Sequence, residues 1–194
     1  MRVEYYEERD DDSQELKKAV EIIKKRRGPT GLLELDRGLL HSPQMAVGWS
    51  QFLGSVRADS KLSRDIKELA ISRVAFLNKA KYEWEHHSVI AAEAGVSAKG
   101  LTTIQQPDAI SKGLSHDESV YGLTLKQQAS VLYTDEMTKN VQVKDETFAL
   151  LKQLFSEEEI VELTITVGAY NCVSRFLVAL DINEQNERSR NWSS

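Results

Sequence analysis

A chain of 194 residues, 41% hydrophobic and 28% charged, is long enough to bury a real core as one domain with extended ends. Its formal net charge of -5 argues against duplex nucleic acid as a partner, because such binding needs a basic face to displace counterions. The single cysteine, Cys172, excludes an internal disulfide and any Cys-x-x-Cys redox or zinc motif.

The pattern is helical nearly throughout, so the expected class is all-α. Ser13 to Arg27 spaces Leu16, Ala19, Val20 and Ile23 along one face and stops at Gly28-Pro29. The basic run Lys24-Lys25-Arg26-Arg27 closes that helix, where cations complement the helix dipole. Leu32 to Leu40 is apolar and ambiguous. Ser42-Pro43 reads as an N-cap followed by proline at the first helical position, opening a helix through Trp49 to about Val56. Ser63 caps a long apolar helix through Leu77 that carries one acid, Glu68, for which Arg73 or Arg64 is a candidate partner. Asn78 to Lys81 reads as a turn or junction. A second helix follows from about Tyr82 to Ala94, with Gly95 as its C′ residue. Ser97 starts a short helix.

Gln106 to Gly122 is the best loop of the chain and a candidate lid or subunit contact. Three helices complete the set, from Leu125, Asp145 and Glu157. The last runs to about Ile182 and is apolar enough to lie in a core or an interface, although Thr164 to Val167 is β-prone by propensity alone. The expected domain spans 1–194, with a core over about 13–182 and a polar tail from 183. No apolar run of membrane length and no signal-peptide pattern is evident, so a cytoplasmic protein with no membrane partner is expected.

The most informative stretch is Tyr82-Glu83-Trp84-Glu85-His86-His87. Residues four apart lie on one helix face, so Glu83 and His87 can converge on one point, as a carboxylate and an imidazole that move protons would. The bland alternative is a surface pair worth a few tenths of a kcal/mol. Glu68 is the third candidate, since buried acids are rare unless paired. His86 points about 100° from His87 and suits the rim of a site. Tyr82, Trp84 and His41 complete the candidate substrate contacts. No His-x-x-x-His spacing is present, so no metal ligand set is assigned. Cys172 reads as a small buried apolar group.

These residues resemble the carboxymuconolactone decarboxylase and alkylhydroperoxidase-D superfamily. The likeness is carried by Leu39-Leu40-His41-Ser42-Pro43, Lys67 to Ala75, Tyr82-Glu83-Trp84, His86-His87 and Ala94-Gly95-Val96-Ser97. It implies an all-α fold of about six to eight helices in a homo-oligomer, a trimer or hexamer. The peroxidase branch uses two cysteines, which here fall on Ala80 and Glu83; its histidine falls on His87 and its upstream glutamate on Glu68. Disulfide exchange needs two thiolates, so that route to peroxide reduction is closed. The decarboxylase branch places glutamate and histidine at the Glu83 and His87 positions. The resemblance therefore implies a cofactor-free lyase or isomerase, with His87, Glu83 and Glu68 as catalytic residues. Its substrate would be a small organic acid, lactone or polyketide-like molecule, as in secondary metabolism. In that reading Glu83 orients His87 or hands it the proton, and Glu68 is a second acid. The alternatives are a peroxidase-like redox protein that has lost its cysteines and a non-catalytic oligomeric scaffold.

Overall fold

The computed structural model describes residues 1–184; the expected polar tail from 185 onward lies outside the described residues. Among the described residues there are nine α-helices and no strand. That exceeds the six to eight expected because two helices of only six residues, α2 (Glu34–Leu39) and α6 (Ala98–Thr103), join the longer ones. The longer ones are α1 (Gln14–Arg27), α3 (Pro43–Gly54), α4 (Arg64–Leu77), α5 (Lys81–Glu93), α7 (Leu125–Asn140), α8 (Asp145–Leu154) and α9 (Glu157–Leu180).

Local chemistry sets the helix ends. Ser13, Ser97, Thr124 and Ser156 each accept a hydrogen bond from a backbone N–H in the first turn they cap. Thr124 with Gln127, and Ser156 with Glu159, close reciprocal capping boxes. Gly95 takes φ 101° after α5, a conformation that a side chain would strain. The β-prone Thr164 and Thr166 are helical, their hydroxyls donating to the carbonyls of Ile160 and Glu162 one turn back. Here the tertiary position of α9 overrides a weak propensity.

Helix α4 is the axis of the fold. Every residue from Ile66 to Ala75 is buried, with α5, α7 and α9 packed around it. A surface helix needs only one apolar stripe, whereas a central one must be apolar on most of its circumference. The buried charged residues on α4 are therefore partnered, whereas the buried Ser72 hydroxyl has no hydrogen-bond partner among the described residues. Arg73 is fully buried, and its guanidinium spends all five N–H groups. Two go to Asp135 of α7 at 2.5 and 2.7 Å, and three to the carbonyls of Ile104, Gln106 and Pro107. Arg64 pairs with Glu93 at 3.2 Å. Neither arginine pairs with Glu68: Arg64 is taken by Glu93, Arg73 by Asp135 and the three carbonyls, and Glu68 by His87.

At the α4–α5 junction Lys79 adopts φ 57°, which reverses the chain and lays α5 antiparallel along α4. Asn78 then donates to Asn171 of α9, and Asn171 donates to Thr138 of α7, so the reversal is tied to two further helices.

By length and composition α9 is apolar enough to cross a membrane, which the sequence reading did not anticipate. In the fold its inner face, including Leu163, Val167, Tyr170 and Val173, belongs to the largest core cluster. The segment before residue 13 also joins the core. Met1 and Tyr5 pack against it, Arg2 N–H donates to Leu180 and Tyr6 N–H to Arg37, because its tyrosines find apolar ground between α2 and the end of α9.

The 106–122 segment is held by its own bonds. Gln128 clamps Ser115 and Leu123, and the Tyr121 hydroxyl bridges Lys112 and Gly113. Gly100 and Gly122 approach so closely that a side chain on either would collide with backbone.

Candidate active site

A cavity of about 90 Å³ lies between the end of α1, the 33–35 segment, α3, α5 and α9. Helix α5 contributes Tyr82, Glu83, His86, His87 and Ile90. Their spacing of three, four and five residues marks one helix face, as the sequence suggested. Leu33, Leu35, Trp49 and Leu53 form one apolar wall, and Tyr170, Val173 and Leu177 of α9 the opposite one. Glu83 and His87 are 2% and 7% exposed, so the reading of them as a surface pair fails.

The partnerships differ from those expected. His87 Nδ1 lies 2.6 Å from Glu68 Oε2, both groups being buried. Glu68 reaches α5 from the adjacent turn of α4. With Nδ1 engaged, Nε2 is the ring nitrogen left for chemistry, and the imidazole is braced edge-on against the Tyr170 ring at 5.0 Å. Burial lowers the His87 pKa below its ordinary value, and the hydrogen bond that Nδ1–H donates to Glu68 opposes this without reversing it. Burial thus favours the neutral imidazole at His87.

Glu83 does not orient His87. Its two carboxyl oxygens lie 3.1 and 3.0 Å from the Ser174 hydroxyl of α9. Burial pushes its pKa well above the usual carboxylate range, and the Ser174 hydrogen bond offsets only part of that. Burial therefore biases the Glu83 carboxyl toward its protonated form and the His87 imidazole, backed by Glu68, toward its neutral form. Pairs of titratable groups driven apart in this way define acid and base roles.

The remaining candidates divide. Tyr82 lines the cavity with its hydroxyl 3.2 Å from Glu34, and burial raises its pKa. His86 sits exposed at the rim, its Nδ1 on the Tyr82 carbonyl at 2.8 Å. Trp84 is excluded: two positions beyond Tyr82 is about 200° around the helix, which turns it onto Phe76 and the second core cluster. His41 is excluded too. It stands in the turn before α3 and bonds the Glu4 carbonyl at 2.6 Å. Cys172 is exposed on α9 rather than buried, since the inward face there is taken by Tyr170, Val173 and Ser174. No residue of 106–122 lines the cavity, so that loop is not its lid. Among the described residues no three His, Cys, Asp or Glu side chains converge as metal ligands would.

Three arginines at this site were not anticipated. Arg26 and Arg27, read from sequence as a dipole complement, line the cavity with Arg57. Arg27 forks onto buried Asp36 at 2.8 and 2.9 Å, and Arg26 Nε donates to Ser50 at 2.6 Å. Arg57 projects from a π-helical turn, Ser55–Asp59, that continues α3. Such turns recur at functional sites and are invisible to a 3.6-residue periodicity.

The carboxymuconolactone decarboxylase family matches residues 43–113, the stretch that carries Arg57, Glu68, Glu83 and His87. A search of curated proteins finds no matching sequence. Among solved structures the chain is similar to an uncharacterized peroxidase-related protein from Silicibacter sp. TM1040. That likeness has a TM-score of 0.69 and 15% identity over 90% of this chain and 86% of the other. It is also similar to the debrominase Bmp8 in complex with 2,3,4-tribromopyrrole, with a TM-score of 0.66 and 16% identity over 96% and 95%. The apo debrominase gives a TM-score of 0.64 at the same identity. At such identities the likeness is one of fold. The fold is thus all-α and of the alkylhydroperoxidase-D type, and within it residues 43–113 match the carboxymuconolactone decarboxylase family, as the sequence resemblance implied.

Proposed function

We propose that the protein is an enzyme that moves a proton on a small organic acid or lactone, as a decarboxylase-like lyase or a related isomerase working without a bound cofactor. The observation that carries this reading is that His87, held from behind by buried Glu68, and the buried Glu83, whose pKa burial raises, line one cavity. As an isomerase, His87 Nε2 removes a proton from carbon beside a carbonyl. The imidazolium that forms keeps its Nδ1–H on Glu68. Glu83 donates its proton to the carbon at the far end of the conjugated enolate, and His87 returns a proton to Glu83 through solvent. In a decarboxylation, the carbon–carbon bond to the departing carboxylate breaks, its electron pair passes into a dienolate, and Glu83 protonates the carbon left behind. The cavity suits a small ring, the scale of the tribromopyrrole held by the related debrominase.

A thiol peroxidase is not supported, because the one cysteine, Cys172, is exposed on α9 and absent from the cavity wall. The reading includes a cytoplasmic setting, which suits an unpaired exposed cysteine, and a homo-oligomer. The test is nuclear magnetic resonance in D₂O with a panel of γ-lactone carboxylic acids, following carbon-bound deuterium and release of CO₂. Wild type should show one or both and His87→Ala neither. A panel on which both proteins are inert, together with thiol-dependent peroxide consumption, would sink the reading.

A further inference from the structure

The cavity opens into a wider groove of about 690 Å³, and Arg26, Arg27 and Arg57 line both. Arg64 and Lys67 complete the groove's five cations, against one carboxylate in its lining, Glu68. This concentration of positive charge stands in a protein whose net charge is -5. Most of it is committed. Arg27 is held by Asp36, Arg64 by Glu93, and Lys67 by the Arg57 carbonyl at 2.8 Å. Glu68 is occupied by His87. Arg57 is the exception: its guanidinium has no carboxylate partner among the described residues, and it is exposed where the cavity meets the groove.

We propose that Arg57, with Arg26 beside it, forms a carboxylate-binding subsite that holds the acid group of the substrate at the mouth while its apolar part enters the cavity. A guanidinium offers two parallel N–H donors that match a carboxylate, and a fork preorganised at the edge of low-dielectric walls binds more tightly than the same pair in water. The surrounding cations repel one another. Burial lowers the Arg26 pKa and Arg27 lowers it further; Asp36, 3.8 Å away, opposes them, and Arg57 adds to the positive field that an anion between Arg26 and Arg57 would meet. Clustered charge over apolar walls also steers anions inward.

The inference rests on the cavity being the reacting site, and it narrows the chemistry there. A carboxylate gripped by arginine is stabilised as the anion, so it is the group that stays. A monoacid held this way undergoes proton transfer at the carbon that reaches Glu83 and His87. Decarboxylation requires a substrate with a second carboxyl group inside the cavity.

Calorimetric titration of the full chain with benzoate and with benzamide, an uncharged ring of the same size, tests the subsite without any turnover. Benzoate should bind at least ten-fold tighter than benzamide. Arg57→Gln should weaken benzoate ten-fold or more and leave benzamide unchanged, Arg57→Lys should fall between, and Lys152→Gln, at an exposed cation of α8 outside both linings, should change neither. Equal affinity for the two rings, full benzoate affinity in Arg57→Gln, or no saturable benzoate binding in the millimolar range would overturn the proposal. Displacement of benzoate by inorganic phosphate at lower concentration than by acetate would overturn its assignment to carboxylate. Arg57-dependent benzoate binding in a protein that exchanges no carbon-bound proton would leave the subsite standing and sink the proton-transfer reading instead.

Discussion

His87 and Glu68 meet at 2.6 Å across two helices, whereas Glu83, one turn before His87 on its own helix, turns away to Ser174. The pair that local geometry favours is therefore not the pair that forms. In the proposed proton transfer, that difference assigns Glu68 to position the base and Glu83 to act as a separate acid.

Replacing His87 by alanine should lower turnover by about 10²–10⁴-fold, the usual contribution of a general acid or base. Glu68→Gln should do less to binding than to turnover. It should also move the acid limb of the rate profile to lower pH, because Glu68 is the group that raises the His87 pKa against burial. An unchanged pH profile in Glu68→Gln, measured as kcat/KM from pH 5 to 9, would show that the two groups do not act as a unit.

Glu83 and His87 give opposite pH dependences. His87 stays neutral in the folded state below the ordinary histidine value, so between that value and its lowered one the unfolded chain binds more protons. Stability is lost there as pH falls. Glu83 stays protonated above the ordinary carboxyl value, so the folded chain binds more protons in that window and stability is lost as pH rises through the raised pKa. Glu83→Gln removes the second effect. Thermal melting should find it at least as stable as wild type, with a gap that widens from pH 5 to pH 8, yet strongly impaired in turnover. A gap that stays level from pH 5 to pH 8 would show that Glu83 is ionised in the fold.

Arg73→Ala removes the donor to the Ile104 and Gln106 carbonyls and leaves Asp135 and the Pro107 carbonyl with Lys139 alone. Breaking a buried ion pair from one side costs about 3–5 kcal/mol. Urea unfolding should report a loss of that size, whereas Arg64→Ala, whose pair with Glu93 is exposed, should cost less than about 1 kcal/mol.

For the proposed homo-oligomer, α9 offers a specific apolar face. Val161 and Ile165 are 56% and 43% exposed, and Ile165 adjoins Phe52 of α3, itself 49% exposed. Light scattering at micromolar concentration should give a mass above the 21.9 kDa chain, and Ile165→Asp or Phe52→Asp should reduce it to the monomer. Charge at Leu177 or Phe176 should unfold the chain instead, since Leu177 is buried and Phe176 stacks on Trp49 at 5.4 Å. A wild-type mass of one chain would sink the oligomer.

The sequence by itself determined where the helices lie and which face of α5 matters, because helical periodicity, serine and threonine caps and the Gly95 terminus are local. It also singled out Glu68, Glu83 and His87, since acids and histidines within apolar helices need partners wherever they end up. Tertiary structure alone decided who those partners are. Docking of α5 on α4 set Glu68 against His87, docking of α9 set Ser174 against Glu83, and rotation about α5 sent Trp84 to a different core. The arginine mouth belongs to the same class: Arg26 and Arg27 are an ordinary basic helix end until α3 and its π-helical turn bring Arg57 beside them. Spacing along one helix fixes a direction for each side chain, but the group that it meets there depends on how the next helix packs.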